Sequence, residues 1–580
     1  MLLPGRLQSR RGAARLRKAV ALQPANLRAR IDLINALIPL GQLDEALRLC
    51  EGQAPELARM RGYVLQCRGD FAEAGACYET ILARAPADFE IWNNLGTARR
   101  AAGDLPGSLD ALARARSLRP DLAPIHLNLA ASLAEAGRNG EAIESYRTAI
   151  GLDPANAAAR LDLARLLLTS QRLDEAEALY REMIAAEPRA THLYLELGIL
   201  LERANRIEDL EKLLDEADGA VGDASELAYL RAAALRRRGR RREALDLARR
   251  SPPDVEPVRR ALLIGKLADA LGESDEAFAA FEEMNSLTAK AARGSADPAR
   301  YRRRVQALTD LLEPGWHERW TTAPEADRDP PIFLVGFPRS GTTLLDTLLM
   351  GHGALHVLEE VPILQRCADA LGDFARLPSL GEAEIGRLRN LYWQSVDEAA
   401  PEARGKRLVD KLPLNILGTP LIHRLFPGAP IVFAGRHPCD VVLSAFMQDF
   451  EINDAMANFL TLADAAELYD LVLGFWTASQ KALPLNVHST SYEWLVADPE
   501  AELRPLLAFL GLPWEDRLLD HRRTARERGT ISTPSYAQVV EPIYADASGR
   551  WLRYRRQMAP VLPLLLPWAE RLGYETVAPD

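Results

Sequence analysis

The segment IFLVGFPRSGTT, residues 332–343, combines residue types that bind an anion. An apolar run ends at Gly336, and the candidate anion-binding residues follow it: Arg339, Ser340, Gly341, Thr342 and Thr343. This order predicts a strand, a loop and the start of a helix, where backbone N–H groups point outward and the helix dipole favours negative charge. The hydroxyl groups and the guanidinium group add further donors. We therefore predict that the loop holds a phosphate-like group.

A missing lysine narrows the choice of anion. Nucleoside triphosphate loops carry a Lys after their second Gly and use it with Mg²⁺ to offset the charge of the β- and γ-phosphates. Thr342 stands at that position here. A sulfuryl group carries one negative charge fewer than a phosphoryl group, so Arg, Lys and N–H groups can hold it without a metal. The loop therefore favours a phosphosulfate over ATP or GTP, and we predict no metal ion.

A second segment, PIVFAGRHPCDVVLSAF (residues 430–446), predicts another anion site. It shows a strand, then Arg436 at the strand end, then a helix that carries Ser444 eight residues later. A guanidinium group and a hydroxyl group placed in this way can bind one further phosphate. Two anion sites at neighbouring strand ends predict a nucleotide that is phosphorylated at two places.

Residues 330–556 resemble the sulfotransferases that use PAPS, 3′-phosphoadenosine 5′-phosphosulfate, and most closely the protein-tyrosine sulfotransferase branch. In this resemblance FPRSGTT is the 5′-phosphosulfate loop and RHPCDVVLS is the 3′-phosphate motif. Tyr492, in SYEWLVADPE, is implied to contact the nucleotide. Ser535 and Arg550, in a C-terminal cofactor loop, are implied to contact the phosphosulfate side.

The sequence departs from the tyrosine-specific branch at several positions. Arg550 stands where the family has Lys, and Gln448 stands where that branch has Arg. The paired cysteines of secreted members are absent. These departures concern the acceptor more than the cofactor, so a peptide tyrosine, a sugar hydroxyl and a lipid headgroup all remain open as acceptors.

The acceptor hydroxyl must lose a proton as it attacks sulfur, so a general base is expected near the loop. Glu360, in HVLEEVP, lies 21 residues after Arg339. The tyrosine branch has the same spacing between its loop Arg and its base, and the resemblance therefore implies Glu360 as the base. His352 and His356 are the alternatives, because another branch of the family uses His.

Lys411, in LVDKLPLN, follows a predicted strand. A Lys among phosphate sites at a strand end is expected to stabilise charge on a leaving phosphate. The resemblance implies the same role. Asn415, four residues later, is a candidate for positioning the acceptor.

The first half of the sequence repeats with a period of 34 residues. Small residues recur at this step: Gly96, Ala130, Ala164, Gly198 and Ala232. Turn-forming residues keep the same step: Gly69, Gly103, Gly137, Gln171, Asn205 and Gly239. So do prolines: Pro86, Pro120, Pro154 and Pro188. The pattern predicts helical hairpins with left-handed turns and resembles the tetratricopeptide repeat, which stacks into a solenoid with a concave face.

The register fades after Phe281, and a Pro-rich charged segment, TTAPEADRDPP, precedes short β-branched runs that alternate with helical patterns. We therefore predict a multidomain chain. A tetratricopeptide solenoid occupies residues 1–285, a helical and Pro-rich linker occupies 286–329, and residues 330–580 form an α/β P-loop-like sulfotransferase domain with a central parallel sheet.

Composition excludes some classes of function. The net charge of −10 argues against general nucleic-acid binding. The five cysteines form no CxxC pair and are odd in number, which favours a reduced compartment and no zinc site. Neither a secretory signal nor a run of about 20 apolar residues is visible, so we expect a cytoplasmic protein without a membrane span.

The combined prediction is a sulfotransferase that moves a sulfuryl group from PAPS to a hydroxyl acceptor, with the concave repeat face docking the acceptor or a partner protein. The alternative from another class is a tetratricopeptide interaction scaffold with an inactive sulfotransferase-like domain. A small-molecule kinase is a third reading. The missing loop Lys and the lack of a clear Mg²⁺-holding Asp after a strand count against it.

Overall fold

The chain is described from a computed structural model, which covers residues 4–321, 323–325, 328–521, 523–524 and 548–575, with side chains from residue 12 onward. It divides into two compact units, Met1–Leu230 and Arg231–Asp580. Within the described residues, no helix is both long enough and apolar enough to span a bilayer.

The first unit consists of helices in successive antiparallel pairs. Their bounds are α1 Pro4–Leu22, α2 Leu27–Leu37, α3 Leu43–Leu49, α4 Pro55–Arg68, α5 Phe71–Leu82, α6 Phe89–Ala101, α7 Leu105–Leu118, α8 Ala123–Glu135, α9 Asn139–Leu152, α10 Ala157–Thr169, α11 Leu173–Ala186, α12 Thr191–Arg203 and α13 Ile207–Val221. Helix α14, Ala228–Arg237, runs across the division between the units.

The 34-residue step has two physical causes in these hairpins. At Gly96, a Cβ atom would lie 2.5 Å from the side chain of Leu112, so the paired helices approach too closely for a larger residue. The turn residues all adopt the left-handed conformation, including the non-glycine residues Gln171, with a φ of 60°, and Asn205, with a φ of 57°. The predicted helical hairpins are therefore confirmed.

The second unit contains further helices and all the strands of the described chain. The helices are α15 Arg241–Arg250, α16 Pro257–Ala270, α17 Ser274–Ala291, α18 Pro298–Asp310, α19 Thr342–Leu349, α20 Ile363–Leu371, α21 Glu382–Ala399, α22 Thr419–Leu425, α23 Pro438–Phe446, α24 Leu462–Ala482, α25 Tyr492–Ala497, α26 Pro499–Leu510, α27 Arg555–Met558 and α28 Leu562–Arg571. The strands are β1 Ile332–Gly336, β2 Leu355–Glu359, β3 Arg407–Lys411, β4 Pro430–Gly435 and β5 Asn486–Ser491.

The strands form one parallel sheet in the order β2–β3–β1–β4–β5. The predicted class, helical repeats followed by an α/β domain with a parallel sheet, is confirmed. Strand β2 was not predicted, and it places Glu359 opposite Lys411 in the register. Gly336 lies opposite Ala434, and Gly435 lies opposite Ser491. The carboxyl ends of the strands therefore meet at one edge of the sheet, where α/β folds bind ligands.

One core lies between the sheet and the helices α19 and α26. Leu334, Val409 and Val432 from three adjacent strands share a cluster with Leu345 and Leu507, all almost fully buried. Burial of each such side chain contributes about 1.5–3 kcal/mol. This packing fixes the start of α19, and with it the loop that joins β1 to α19.

Helices α17 and α18 also pack against the part of the second unit that holds the sheet. Asn285 donates a buried hydrogen bond of 2.9 Å to the carbonyl oxygen of Phe446, whose ring stacks on Phe278 at 5.1 Å. Arg300 forms an ion pair of 2.6 Å with Asp454. Residues 231–310 thus share a compact unit with the sheet. The limit at 285 comes from the fading repeat register and the limit at 329 from the Pro-rich charged segment, and both stay a sequence-based proposal.

Candidate active site

The loop after β1 brings its main chain close to a neighbouring aromatic ring. Arg339 and Gly341 both have left-handed φ angles, of 75° and 89°. A Cβ atom at Gly341 would lie 2.4 Å from the ring of Tyr492, so only glycine fits there. Helix α19 begins directly after it at Thr342. The side chains of Ser340, Thr342 and Thr343 are buried beside this helix start.

The two predicted phosphate motifs meet. Arg339 of the β1 loop donates from Nε to the hydroxyl of Ser444 on α23 at 3.2 Å. Arg436, directly after β4, donates from Nη1 to the carbonyl oxygen of Arg339 at 3.1 Å. The Arg436 guanidinium group also lies 4.6 Å from the ring centre of Tyr492. Four residues predicted to bind different parts of one nucleotide are therefore in mutual contact.

Lys411 lies at the end of β3, fully buried, and three carboxylates surround its ammonium group. Nζ lies 2.8 Å from Glu360, 3.0 Å from Asp346 and 3.1 Å from Glu359. Burial opposes the charge of Lys411, but Asp346, Glu360 and Glu359 outweigh it and raise the Lys411 pKa above its ordinary value. Lys411 therefore keeps its proton at neutral pH and supplies a fixed positive charge at the sheet edge.

Asp346 is a member of this cluster that the sequence reasoning missed. It lies on α19 with no exposed surface, and its Oδ1 accepts from the hydroxyl of Thr347 at 3.1 Å. The one charged residue among the Thr and Leu residues of TTLLDTLL was the available signal, because a buried carboxylate requires a charged or hydrogen-bonding partner.

Glu360 sits in an unusual backbone conformation. Its N–H donates to the carbonyl oxygen of Lys411 at 2.7 Å, which extends the β2–β3 pairing by one residue, and its φ is 52°. Non-glycine residues in this region cost about 1–3 kcal/mol and cluster at functional sites. The Glu360 side chain is 37% exposed, whereas that of Glu359 is 13% exposed, so Glu360 is the member of the pair that is more open to solvent.

Asp410, the residue before Lys411, anchors the following loop. Its two carboxylate oxygens accept from the hydroxyl of Tyr392 at 2.7 Å and from the amide of Asn415 at 3.1 Å. Burial raises the pKa of Asp410 to about 7, although the Tyr392 hydrogen bond opposes this. Asn415 is thus held from within the protein, and this contact fixes the 3₁₀ turn Pro413–Gly418 after Lys411.

The two histidine alternatives to Glu360 have other surroundings. His352 is buried, its Nε2 donates to the carbonyl oxygen of Pro513 at 3.0 Å, and its Nδ1 accepts from the N–H of Ala354 at 3.1 Å. Both ring nitrogens therefore bind main chain. His356 lies three residues before the end of β2, and burial lowers its pKa.

Of the two residues implied for the C-terminal cofactor loop, the structure describes one. Ser535 lies outside the described residues. Arg550 is described, and its guanidinium group forms an ion pair with Asp269 of α16. The next residue, Trp551, donates its N–H to Asp440 at 2.8 Å, and its ring stacks on His437 at 5.2 Å. These contacts to the RHPCDVVLS motif were not foreseen.

Among the residues that the structure describes, no group of three or more His, Cys, Asp and Glu side chains could hold a metal ion. The three carboxylates at the sheet edge instead converge on the Lys411 ammonium group.

Comparison with known proteins supports both halves of the sequence interpretation. A family described as the sulfotransferase family matches residues 330–516. Tetratricopeptide repeat families match residues 59–123, 133–188 and 162–225.

Among individual relatives, an uncharacterized protein of Aquifex aeolicus is 27% identical over 52% of this chain and 40% of its own length. Protein-tyrosine sulfotransferase A of Caenorhabditis elegans is 27% identical over 42% of this chain and 67% of its own length. The solved sulfotransferase domain from the curacin biosynthetic pathway is 22% identical, with a TM-score of 0.34, over 43% of this chain and 100% of that domain. The chain therefore combines tetratricopeptide repeats with a sulfotransferase-family domain.

Proposed function

We propose that this chain transfers a sulfuryl group from PAPS to the hydroxyl group of an acceptor, giving a sulfate ester and 3′-phosphoadenosine 5′-phosphate. The observation that carries the proposal is the junction of the two phosphate motifs, in which Arg339 contacts Ser444 and Arg436 contacts the main chain of Arg339. A nucleotide with phosphate groups at two positions needs two anion sites, and the carboxyl ends of neighbouring parallel strands are where α/β folds bind ligands.

The residues present fit such a nucleotide. Glycine at 341 leaves the loop main chain against Tyr492 without a side chain in between. We assign the 5′-phosphosulfate to the loop N–H groups with Arg339, Ser340, Gly341, Thr342 and Thr343. The 3′-phosphate is assigned to Arg436 and Ser444, and Tyr492 and Ser535 complete the proposed nucleotide contacts. Arg550, which the resemblance implied as a further contact, binds Asp269 in this structure and is not assigned to the nucleotide.

In the proposed reaction Glu360 accepts the proton of the acceptor hydroxyl, and the freed oxygen attacks sulfur in line with the bond that breaks. PAPS supplies the sulfuryl group and its phosphate is the leaving group. Lys411 and Arg339 stabilise the charge that grows on that phosphate. The left-handed backbone at Glu360 supports this assignment, since it directs a reachable carboxylate beside Lys411.

The proposed acceptor is a hydroxyl group on a macromolecule, either a peptide tyrosine or a glycan, and the helical repeats are proposed to dock it or a partner protein. The relatives named as protein-tyrosine sulfotransferases favour tyrosine. Gln448, where that branch carries Arg, keeps the glycan in consideration. Incubation with labelled PAPS and a host lysate assigns the acceptor by whether protein, glycan or lipid becomes labelled.

The test of the cofactor assignment is Arg436→Ala. We expect binding of 3′-phosphoadenosine 5′-phosphate to weaken by about 1.5–3 kcal/mol, because the variant loses a charged hydrogen bond to the 3′-phosphate. Binding of adenosine 5′-phosphate should change little. Calorimetry with both ligands measures the difference.

Arg504 offers a matched control, because its guanidinium group also stacks on an aromatic ring, that of Trp514, at 4.4 Å. Arg504→Ala should leave both affinities unchanged. If Arg436→Ala weakens both ligands equally, the 3′-phosphate assignment is wrong. A chain that binds the nucleotide but labels no acceptor would favour the inactive scaffold instead.

A further inference from the structure

Asp269, near the end of α16, gathers three side chains from one short segment, residues 549–554, which we call the anchor segment. Arg550 and Arg553 donate to its carboxylate, each with one contact of 3.2 Å, and the Tyr554 hydroxyl donates at 2.6 Å. Arg553 also donates to the Asp269 carbonyl oxygen at 3.0 Å. Asp269 is only 9% exposed, so these contacts form largely out of water.

The other side of the anchor segment is bound by the predicted 3′-phosphate motif. Asp440, on the first turn of α23, accepts from the N–H of Gly549 at 2.7 Å and from the N–H of Trp551 at 2.8 Å. The Trp551 ring stacks on His437, the residue after Arg436. The anchor segment therefore joins a helix of the repeat pattern to the residues that flank Arg436.

Asp440 is a potential competitor for Arg436. It is 1% exposed, and burial raises its pKa, whereas the positive charge of Arg436 and the two N–H groups of the anchor segment oppose that rise. A buried carboxylate that loses its hydrogen-bond donors must find another partner. Arg436, the residue assigned to the 3′-phosphate, lies four residues before Asp440, and the Trp551 ring stacks on His437 directly after it.

We propose that Asp269 is a positioning residue for the 3′-phosphate site, which acts by holding the anchor segment on Asp440 and on His437 and so keeps the neighbouring Arg436 in place. This inference rests on the proposed use of a 3′-phosphorylated nucleotide. It gives the last helices of the repeat pattern a part in cofactor binding, in addition to any part in docking.

The charge of Asp269 is the feature that matters. It offsets two guanidinium groups, those of Arg550 and Arg553, which contact the same carboxylate. Replacement by Asn keeps the size but removes the counter-charge of both cations. The loss bears mainly on Arg550, whose side chain is 20% exposed, rather than on Arg553, whose side chain is 43% exposed. The anchor segment should then leave α16 and loosen its N–H groups from Asp440.

The test compares Asp269→Asn with Asp275→Asn in the full chain. Asp275 is a matched control, because it contacts Arg556 and Gln557, which closely follow the anchor segment, but its side chain is 70% exposed. Titration calorimetry with 3′-phosphoadenosine 5′-phosphate should show a Kd about tenfold higher for Asp269→Asn, which corresponds to roughly 1.4 kcal/mol. The Kd for adenosine 5′-phosphate should stay within about twofold, and Asp275→Asn should match the wild type for both ligands.

A ratio of two affinities separates positioning from a general loss of structure, which would weaken both ligands alike. Asp269→Glu retains the charge and should restore most of the preference for the 3′-phosphorylated ligand. Tyr554→Phe is a milder change that removes one hydrogen bond to Asp269. It should also reduce the preference for the 3′-phosphorylated ligand, so the test remains decisive if Asp269→Asn does not fold.

The inference alone is overturned if the wild type prefers the 3′-phosphorylated ligand and both Asp269→Asn and Tyr554→Phe keep that preference. It is also overturned if Asp269→Asn weakens the binding of both ligands equally. A wild-type chain that binds both ligands with the same affinity would overturn the proposed function, and this inference with it.

Discussion

Replacing each member of the Glu359–Glu360 pair by Gln distinguishes a general base from a carboxylate that only pairs with Lys411. Both side chains contact the same Nζ atom, at 3.1 Å for Glu359 and 2.8 Å for Glu360. We expect Glu360→Gln to lower turnover by about 10²–10⁴, since Gln cannot accept the acceptor proton. The affinity for 3′-phosphoadenosine 5′-phosphate should stay close to that of the wild type.

The geometry makes Glu359→Gln a strict control. With an effective dielectric constant of about 20, the gross attraction to Lys411 is roughly 6 kcal/mol for Glu360 and roughly 5 kcal/mol for Glu359. Water screens the more exposed Glu360 further, so the two pairings are close to equal and Glu359 can even be the stronger partner. If the only role of these residues were to hold Lys411, Glu359→Gln would be at least as damaging as Glu360→Gln.

The assay is transfer of labelled sulfate from PAPS to the acceptor, with single-turnover kinetics at saturating PAPS to isolate the chemical step. Base catalysis predicts a large loss for Glu360→Gln and a loss of less than about tenfold for Glu359→Gln. The opposite order would refute the assignment of Glu360. So would an active Glu360→Gln together with an inactive but folded His352→Ala, which would make His352 the base.

Two further predictions concern stability. Because the pKa of Asp410 is about 7 in the folded chain, against 3.8 for an ordinary Asp, the folded state keeps a proton that the unfolded state releases, and its contribution to stability is lost as pH rises between about 4 and 7. In denaturant titrations, the free energy of unfolding of Asp410→Asn should rise relative to that of the wild type by up to about 4 kcal/mol as pH increases across this window. A difference that does not depend on pH would contradict the raised pKa of Asp410. A chain that starts at residue 330 loses two contacts to Phe446, the ring stack of Phe278 and the hydrogen bond of Asn285. Its melting temperature should therefore lie at least about 10 °C below that of a chain that starts at residue 224. Equal melting temperatures would show that α16–α18 do not support the sheet.

The repeat region and the sheet edge were predictable from sequence for physical reasons. A hairpin needs a left-handed residue at its turn, so the 34-residue step located Gln171 and Asn205 although neither is Gly. The loop after β1 and the segment after β4 had to meet, because parallel strands place their carboxyl ends on one edge and these two strands are neighbours. The sequence pattern therefore predicted the conformation of the repeat turns, and it also predicted that the two phosphate motifs lie close together.

The features that sequence did not reveal depend on partners remote in the chain. Strand β2 is an edge strand of five residues with a half-buried face, and its His and Glu residues hide the apolar alternation. Asp346 and Lys411 are 65 residues apart, and Asp269 and Arg550 are 281 residues apart, so no spacing rule connects them. The sequence marks each as a charged residue, and only the fold shows which charges neutralise one another.

Helices at the end of the repeat pattern support a helix that lies far beyond that pattern in the sequence. Periodicity fades after Phe281, yet α23, which carries Ser444 and follows Arg436, is supported at both of its ends from residues before 286. Asn285 binds the carbonyl oxygen at the last residue of α23, and Asp269 reaches Asp440 on its first turn through the anchor segment. Since a helix held at both ends keeps its side chains in fixed positions, the final repeat helices contribute to the geometry of the proposed 3′-phosphate site. A domain limit drawn where the repeat register stops would therefore cut through the support of that site.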